Sequence, residues 1–137
     1  MERSFPREVD ALEDLFSFVD GFLTAHAVSP DAAFATRLVA EELFTNFVRH
    51  NRGGKNPILL RLDMRGGSLI VQLEDSGVDP FDPSSVDRVD TARPLDEREP
   101  GGLGIHLIQE VFDDLRYEYE DGTLRVTAVK HLEGRHV

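Results

Sequence analysis

Hydrophobic positions along the chain change their period several times, and each change marks an element. From Val9 to Ala27, Leu12, Leu15, Phe16, Val19, Phe22 and Leu23 recur at helical spacing, which predicts an amphipathic helix. Ser29-Pro30-Asp31 then gives a start signal, with Ser29 as N-cap and Pro30 at the first helical position. A second helix is expected from there to about His50, ended by Asn51-Arg52-Gly53-Gly54. The period then falls to two. Ile58, Leu60, Leu62 and Met64 alternate with Leu59, Arg61, Asp63 and Arg65. After the turn Arg65-Gly66-Gly67-Ser68, the residues Leu69, Val71 and Leu73 alternate with Ile70, Gln72 and Glu74. This is a hairpin with one face on a core. From Gly77 to Gly102 the pattern dissolves into a charged segment that holds four of the seven prolines. A loop of that length inside one domain is usually a lid or binding loop. A lid is therefore expected at about 79–103, mobile without ligand. A helix carrying Leu107, Ile108, Val111 and Phe112 follows. A second hairpin is built on Leu115, Tyr117 and Tyr119, the turn Glu120-Asp121-Gly122, and Leu124, Val126 and Ala128. Helices, hairpin, loop, helix, hairpin predict an α+β fold, a two-layer α/β sandwich with helices on one face of a largely antiparallel mixed sheet.

Composition narrows the functional classes. A length of 137 residues fits one domain spanning 1–137. The absence of cysteine excludes disulfides, zinc-thiolate sites and a cysteine nucleophile. No apolar run approaches the roughly 18 residues of a membrane span, and Met1 to Pro6 carries no signal-peptide core, so a cytoplasmic protein without membrane attachment is expected. A net charge of −11 with no basic stripe argues against direct nucleic-acid binding. It also means that a polyanionic ligand needs a metal ion, backbone N–H groups and a few placed cations.

Three constellations carry candidate chemistry. On the second helix, Ala40, Leu43, Phe44, Phe47 and Val48 fill one apolar face, while Glu42 and Asn46 lie one turn apart at its edge, with His50 continuing the row. Alone, such a row also fits a solvated helix face, and His50 also fits a cap on the last carbonyls. At the end of the first hairpin, Glu74-Asp75-Ser76-Gly77 puts Asp75 in register with the core-facing Leu69, Val71 and Leu73. A carboxylate there needs a partner. Backbone N–H groups of the turn are one, and an exocyclic amine such as that of adenine is another, with Gly77 letting a ligand approach closely. Third, Gly101-Gly102-Leu103-Gly104-Ile105-His106 opens a helix, where free N–H groups and the helix dipole favour phosphate. By itself it is also an ordinary loop-to-helix junction. The histidine spacing fits no metal-ligand pattern.

Together and in this order, the three resemble the N, G1 and G2 boxes of the GHKL ATPases with the Bergerat fold. The resemblance is to the short branch containing bacterial anti-sigma-factor serine/threonine kinases. Glu42-Leu43-Phe44-Thr45-Asn46 with His50 resembles the N box. Asp75-Ser76-Gly77 followed by Pro80-Phe81-Asp82-Pro83 resembles G1, and Gly101 to Ile108 resembles G2. Val78 and Asp79 separate Gly77 from Pro80 more widely than is usual, as a one-residue insertion at the lid entrance would.

The resemblance implies ATP and Mg²⁺ as cofactors. Asn46 would be the metal ligand, Glu42 the catalytic base toward a Ser or Thr hydroxyl, and Asp75 the adenine-amine acceptor. Gly77 would lie at the base, and Gly101, Gly102, Leu103, Gly104 and Ile105 along the phosphates. Arg88, Arg93 and Arg98 are lid cations, each equally readable as solvated. The implied partners are a sigma factor and an anti-anti-sigma protein of the STAS type, and a homodimer is compatible with the family. The alternative function is a catalytically silent ATP-binding or protein-binding module of the same fold. A histidine-kinase ATPase portion and a gyrase-type ATPase fit less well, because the helical hairpin of the former and the further domain of the latter are not in the sequence.

Overall fold

The computed structural model describes residues 1–51, 54–79 and 108–132. The expected lid and the G2 glycines fall almost entirely within 80–107 and so lie outside the described residues. Strand β1 (Glu2–Phe5) leads through a short 3-10 turn (Val9–Ala11) into α1 (Leu12–Ala25) and α2 (Pro30–His50). Strands β2 (Ile58–Arg65), β3 (Ser68–Ser76), β4 (Asp114–Glu120) and β5 (Thr123–His131) complete the described elements. Residues 108–111 are helical, on the segment expected to follow the glycines. The strands form one sheet in the order β1-β2-β3-β5-β4. All four pairings are antiparallel, so no parallel pairing occurs among the described strands, where the sequence pattern allowed a mixed sheet.

The two layers follow from the two periods. Leu60, Leu62, Leu69, Val71, Leu73, Leu124, Val126 and Ala128 are buried on the sheet face that meets the helices. Leu15, Val19, Phe22 and Leu23 of α1 and Val39, Ala40, Leu43, Phe44 and Phe47 of α2 close over them. The opposite sheet face carries a row of charges instead. Arg61 bonds Glu2 at 2.9 Å and Glu74 at 3.0 Å, and Arg125 reaches Glu74 at 2.6 Å. Burial pushes the Glu74 carboxyl up, but Arg125 and Arg61 outweigh it and hold it below the usual range.

Two details depart from the sequence pattern. Strand β1 was not expected. Its Phe5 alone points inward, 1 % exposed, and meets Phe18 and Phe44 edge-on at 5.8 and 6.4 Å between ring centroids. One apolar residue in four gives alternation nothing to detect. The first helix also begins three residues later than expected, because Val9–Ala11 winds as a 3-10 turn and Ala11, at the N-cap, offers no side-chain cap. The second helix matches its signals: Ser29 Oγ accepts the Ala32 N–H at 3.4 Å and Pro30 is its first residue.

Helix α1 ends at a non-glycine left-handed residue, Ala27, with φ 51°. Around it the Ala27 N–H bonds the Thr24 carbonyl and the Val28 N–H bonds the Leu23 carbonyl. An L side chain in that conformation costs about 1–2 kcal/mol, which glycine avoids at some cost in unfolded-state entropy. Ala27→Gly should therefore stabilise the fold by roughly 0.5–1 kcal/mol in a denaturant melt. A loss of stability would show that the Ala27 methyl makes compensating contacts.

Candidate functional site

The site is assembled where the C-terminal end of α2, the end of β3 and the segment after β1 meet. Helix α2 contributes Glu42 and Asn46. Both are half-buried, flanked by the fully buried Leu43, Phe44 and Phe47, as the helical wheel predicts. The Glu42 carboxylate and the Asn46 amide have no hydrogen-bond partner among the described residues, although the backbone around them is tied by Thr45 Oγ1 to the Glu41 and Glu42 carbonyls. Burial is the main cause of a raised Glu42 pKa. The adjacent Glu41 charge adds to the rise and Arg49 opposes it. A half-buried carboxylate lifted in this way is a better proton acceptor than a solvated one. His50 is exposed at the last residue of α2.

Strand β3 contributes Asp75, which is 0 % exposed and faces the helices in register with Leu69, Val71 and Leu73. Its inward direction was legible in the sequence, but its partners were not. Among the described residues, no turn N–H bonds it. Asn51, the C-cap of α2, donates from Nδ2 to Asp75 Oδ2 at 2.7 Å, and Arg7 donates from Nη2 to Asp75 Oδ1 in an ion pair. Arg7 Nη1 also reaches the Phe47 carbonyl at 3.3 Å, which already accepts the Asn51 N–H at 3.2 Å. Arg7 thus ties the N-terminal segment to both the helix end and the strand end.

The chain past Asp75 is fixed by three further contacts. Asn56 Nδ2 donates to Ser76 at both its carbonyl and Oγ, at 3.2 and 3.0 Å. The Val78 N–H bonds the Gly122 carbonyl at 3.0 Å, and Tyr119 Oη donates to the Val78 carbonyl at 2.7 Å. Val78 is buried, so the residue that looked like part of an insertion anchors the strand exit. Gly77 has φ 70°, and a Cβ there would lie 3.1 Å from Asn56 Nδ2, so glycine is required by the backbone itself.

Arg7 and Asn51 tie the C-terminal end of α2 to Asp75 near the end of β3, two residues before Gly77, while Glu42 and Asn46 lie half-buried further back along the same helix. Gly101, Gly102, Leu103, Gly104 and Ile105, and the arginines Arg88, Arg93 and Arg98, lie outside the described residues. Arg7 and Asn51 are the residues that sequence reasoning missed. Among the described residues, no three His, Cys, Asp or Glu side chains gather into a metal cage. The Asn46 amide oxygen, expected from the sequence to meet a cation, lies on a half-buried residue with the Glu42 carboxylate one turn away. Both are hard oxygen donors of the kind Mg²⁺ takes when phosphates and waters supply its remaining ligands. No helix among the described residues is long and apolar enough to cross a membrane.

Residues 5–130 match the family described as the histidine kinase-like ATPase domain. Over 100 residues the chain is 31 % identical to the serine/threonine-protein kinase BtrW of Bordetella bronchiseptica, covering 72 % of this chain and 70 % of that protein. Among solved structures, the RsbU and RsbW domains of Rv1364c from Mycobacterium tuberculosis superpose with a TM-score of 0.69 at 12 % identity. That match covers 96 % of this chain but only 32 % of the mycobacterial one. The SiaB–SiaC complex from Pseudomonas aeruginosa gives a TM-score of 0.64 at 15 % identity, covering 94 % of this chain and 88 % of that one. At such identities the solved structures speak for the shared fold. With the family model matched from Phe5 into the last strand, the chain belongs to the histidine kinase-like ATPases of the Bergerat fold.

Proposed function

We propose that the chain is an ATP-dependent protein serine/threonine kinase that acts on a small anti-anti-sigma partner of the STAS type and sequesters a sigma factor. The observation that carries this reading is the half-buried pair Glu42 and Asn46 on α2, without hydrogen-bond partners among the described residues, on the helix whose C-cap Asn51 bonds the buried Asp75. The 31 % identity over 100 residues to a serine/threonine-protein kinase supports it. Bound Mg-ATP would supply the phosphoryl group and much of the charge neutralisation, so the protein's share is positioning and proton handling. Asn46 would offer its amide oxygen to the cation. Asp75 would accept the exocyclic amine of the base beside Gly77, and backbone N–H groups at Gly101 to Gly104 would hold the phosphates. Glu42 would take the proton of the incoming Ser or Thr hydroxyl onto a carboxylate oxygen.

The test is transfer from Mg-ATP to a partner recovered by pull-down, followed across pH. A Glu42 base works only when ionised, and its pKa lies above the ordinary glutamate range. The acid limb of the rate profile should therefore fall away at a higher pH than for a solvated glutamate. Glu41→Gln removes a like charge and should move that limb to lower pH, whereas Arg49→Gln removes an opposing charge and should move it higher. Shifts in the reverse sense, or none, would remove Glu42 from the role. Failure of purified protein to bind nucleotide at millimolar concentration would end the kinase reading. One observation favours a second reading, a silent module of the same fold: the Asp75 carboxylate is already engaged from within the chain, by Arg7 and Asn51.

A further inference from the structure

The contact between Arg7 and Asp75 joins the N-terminal segment to the residue read as the base acceptor, and its details are those of a temporary arrangement. Asp75 is fully buried, and each of its oxygens already has a donor: Arg7 on Oδ1 and Asn51 on Oδ2. The Arg7 guanidinium lies against Gly54 so closely that a Cβ on Gly54 would collide with it. It therefore packs against the Gly54 backbone as well as bonding to the carboxylate. Asn51 is a cap built into α2, but Arg7 lies in an irregular bend two residues beyond a four-residue edge strand. Its side chain is only 16 % exposed, and its Nε is buried with no hydrogen-bond partner among the described residues. A permanently structural arginine normally has its buried donors satisfied, because an unsatisfied one costs the desolvation of that group. The guanidinium is flat and presents N–H donors in one plane. That is also how the amine edge of a purine meets a carboxylate.

We propose that Arg7 is an internal occupant of the base site. Its guanidinium exchanges with the amine edge of the nucleotide at Asp75, so the N-terminal segment and the nucleotide compete for one carboxylate. The proposal rests on the reading of Asp75 as the base acceptor. It makes the nucleotide affinity of the native chain lower than the pocket's intrinsic affinity by the fraction of molecules in which Arg7 is withdrawn. It also makes the coupling reciprocal: nucleotide releases the segment joining β1 to α1, and whatever holds that segment in place weakens nucleotide binding.

The experiment is calorimetric titration of the whole chain and of Arg7→Gln and Arg7→Lys with Mg-ATP and Mg-ADP, with thermal melts of each at rising nucleotide. Arg7→Gln should bind about tenfold more tightly or better, and Arg7→Lys should fall between the two, since lysine keeps the charge but not the planar fork. Without nucleotide, Arg7→Gln should melt below the native chain, and saturating nucleotide should narrow that gap. If the native chain binds and both variants bind equally or more weakly, Arg7 supports the site rather than competing for it; the proposal is overturned and the kinase reading stands. Should Arg7→Gln not fold at the assay temperature, the sign of the Arg7→Lys change decides. If no form binds nucleotide, the reading of Asp75 fails and the proposal falls with it. If only the variants bind, the exchange at Asp75 is supported while the kinase reading of the native chain falls.

Discussion

Glu42→Ala is expected to abolish most phosphotransfer while leaving Mg-ATP binding and the fold intact. A positioned general base contributes roughly 10²–10⁴-fold to rate, and that is the loss the transfer assay should read. Removing the carboxylate deletes no described hydrogen bond, and the residue borders the buried face of α2 rather than filling it, so thermal melts should move little. Asn46→Ala, one turn later, should behave differently. A metal ligand acts on nucleotide affinity and on charge neutralisation, so the Mg²⁺-dependent part of binding should weaken along with transfer. Equal transfer by Glu42→Ala and the native chain would show that the hydroxyl proton goes elsewhere. Loss of binding in both variants to the same extent would make Glu42 part of the nucleotide site instead.

The second large effect is on stability and concerns the far end of the same site. Asp75→Ala removes a fully buried carboxylate and strands the Arg7 guanidinium, which is itself largely buried. Removing one partner of a buried pair costs about 3–5 kcal/mol, because the other charge is left uncompensated. For a chain of this length that is a fall of roughly 10–20 °C in melting temperature. Asp75→Asn keeps the shape and one acceptor oxygen, so it should cost less stability while still weakening nucleotide binding by about 1–3 kcal/mol through the lost charge-assisted bond. Arg7→Gln/Asp75→Asn double variants separate the two contributions: if the side chains act as a pair, the double change costs less than the sum of the single ones. Strict additivity would mean that the ion pair contributes nothing and that the losses are local to each residue.

What was legible in the sequence was whatever repeats locally. Ser29-Pro30 announced α2 because capping is decided within one turn. The β2–β3 and β4–β5 hairpins were visible because alternation has a period of two. The inward direction of Asp75 came from the same alternation, and the edge position of Glu42 and Asn46 from helical periodicity. What was not legible was pairing at a distance. Arg7 lies 68 residues from Asp75 and Asn51 lies 24, and nothing near either residue distinguishes it from a solvated arginine or an ordinary helix stop. Strand β1 escaped notice for a related reason: it exists because β2 offers it an edge, not because its own four residues favour extension. The family resemblance proposed a role for Asp75, but the structure supplied the contacts that hold its carboxylate.

The charged row on the outer sheet face bears on how the strands find their alignment. Apolar alternation forbids a one-residue slip of β3 against its neighbours, because every buried side chain would turn outward. It does not forbid a slip of two, which returns leucines and valines to the same face. Glu74 does discriminate between those frames, since it sits between Arg61 and Arg125 only when Leu73 is opposite Leu60 and Val126. A two-residue slip would bring Gln72 or Ser76 to that place and leave two arginines facing a neutral side chain. The ion pairs on the wet side of the sheet thus act as a vernier, selecting one frame among those that the dry side accepts.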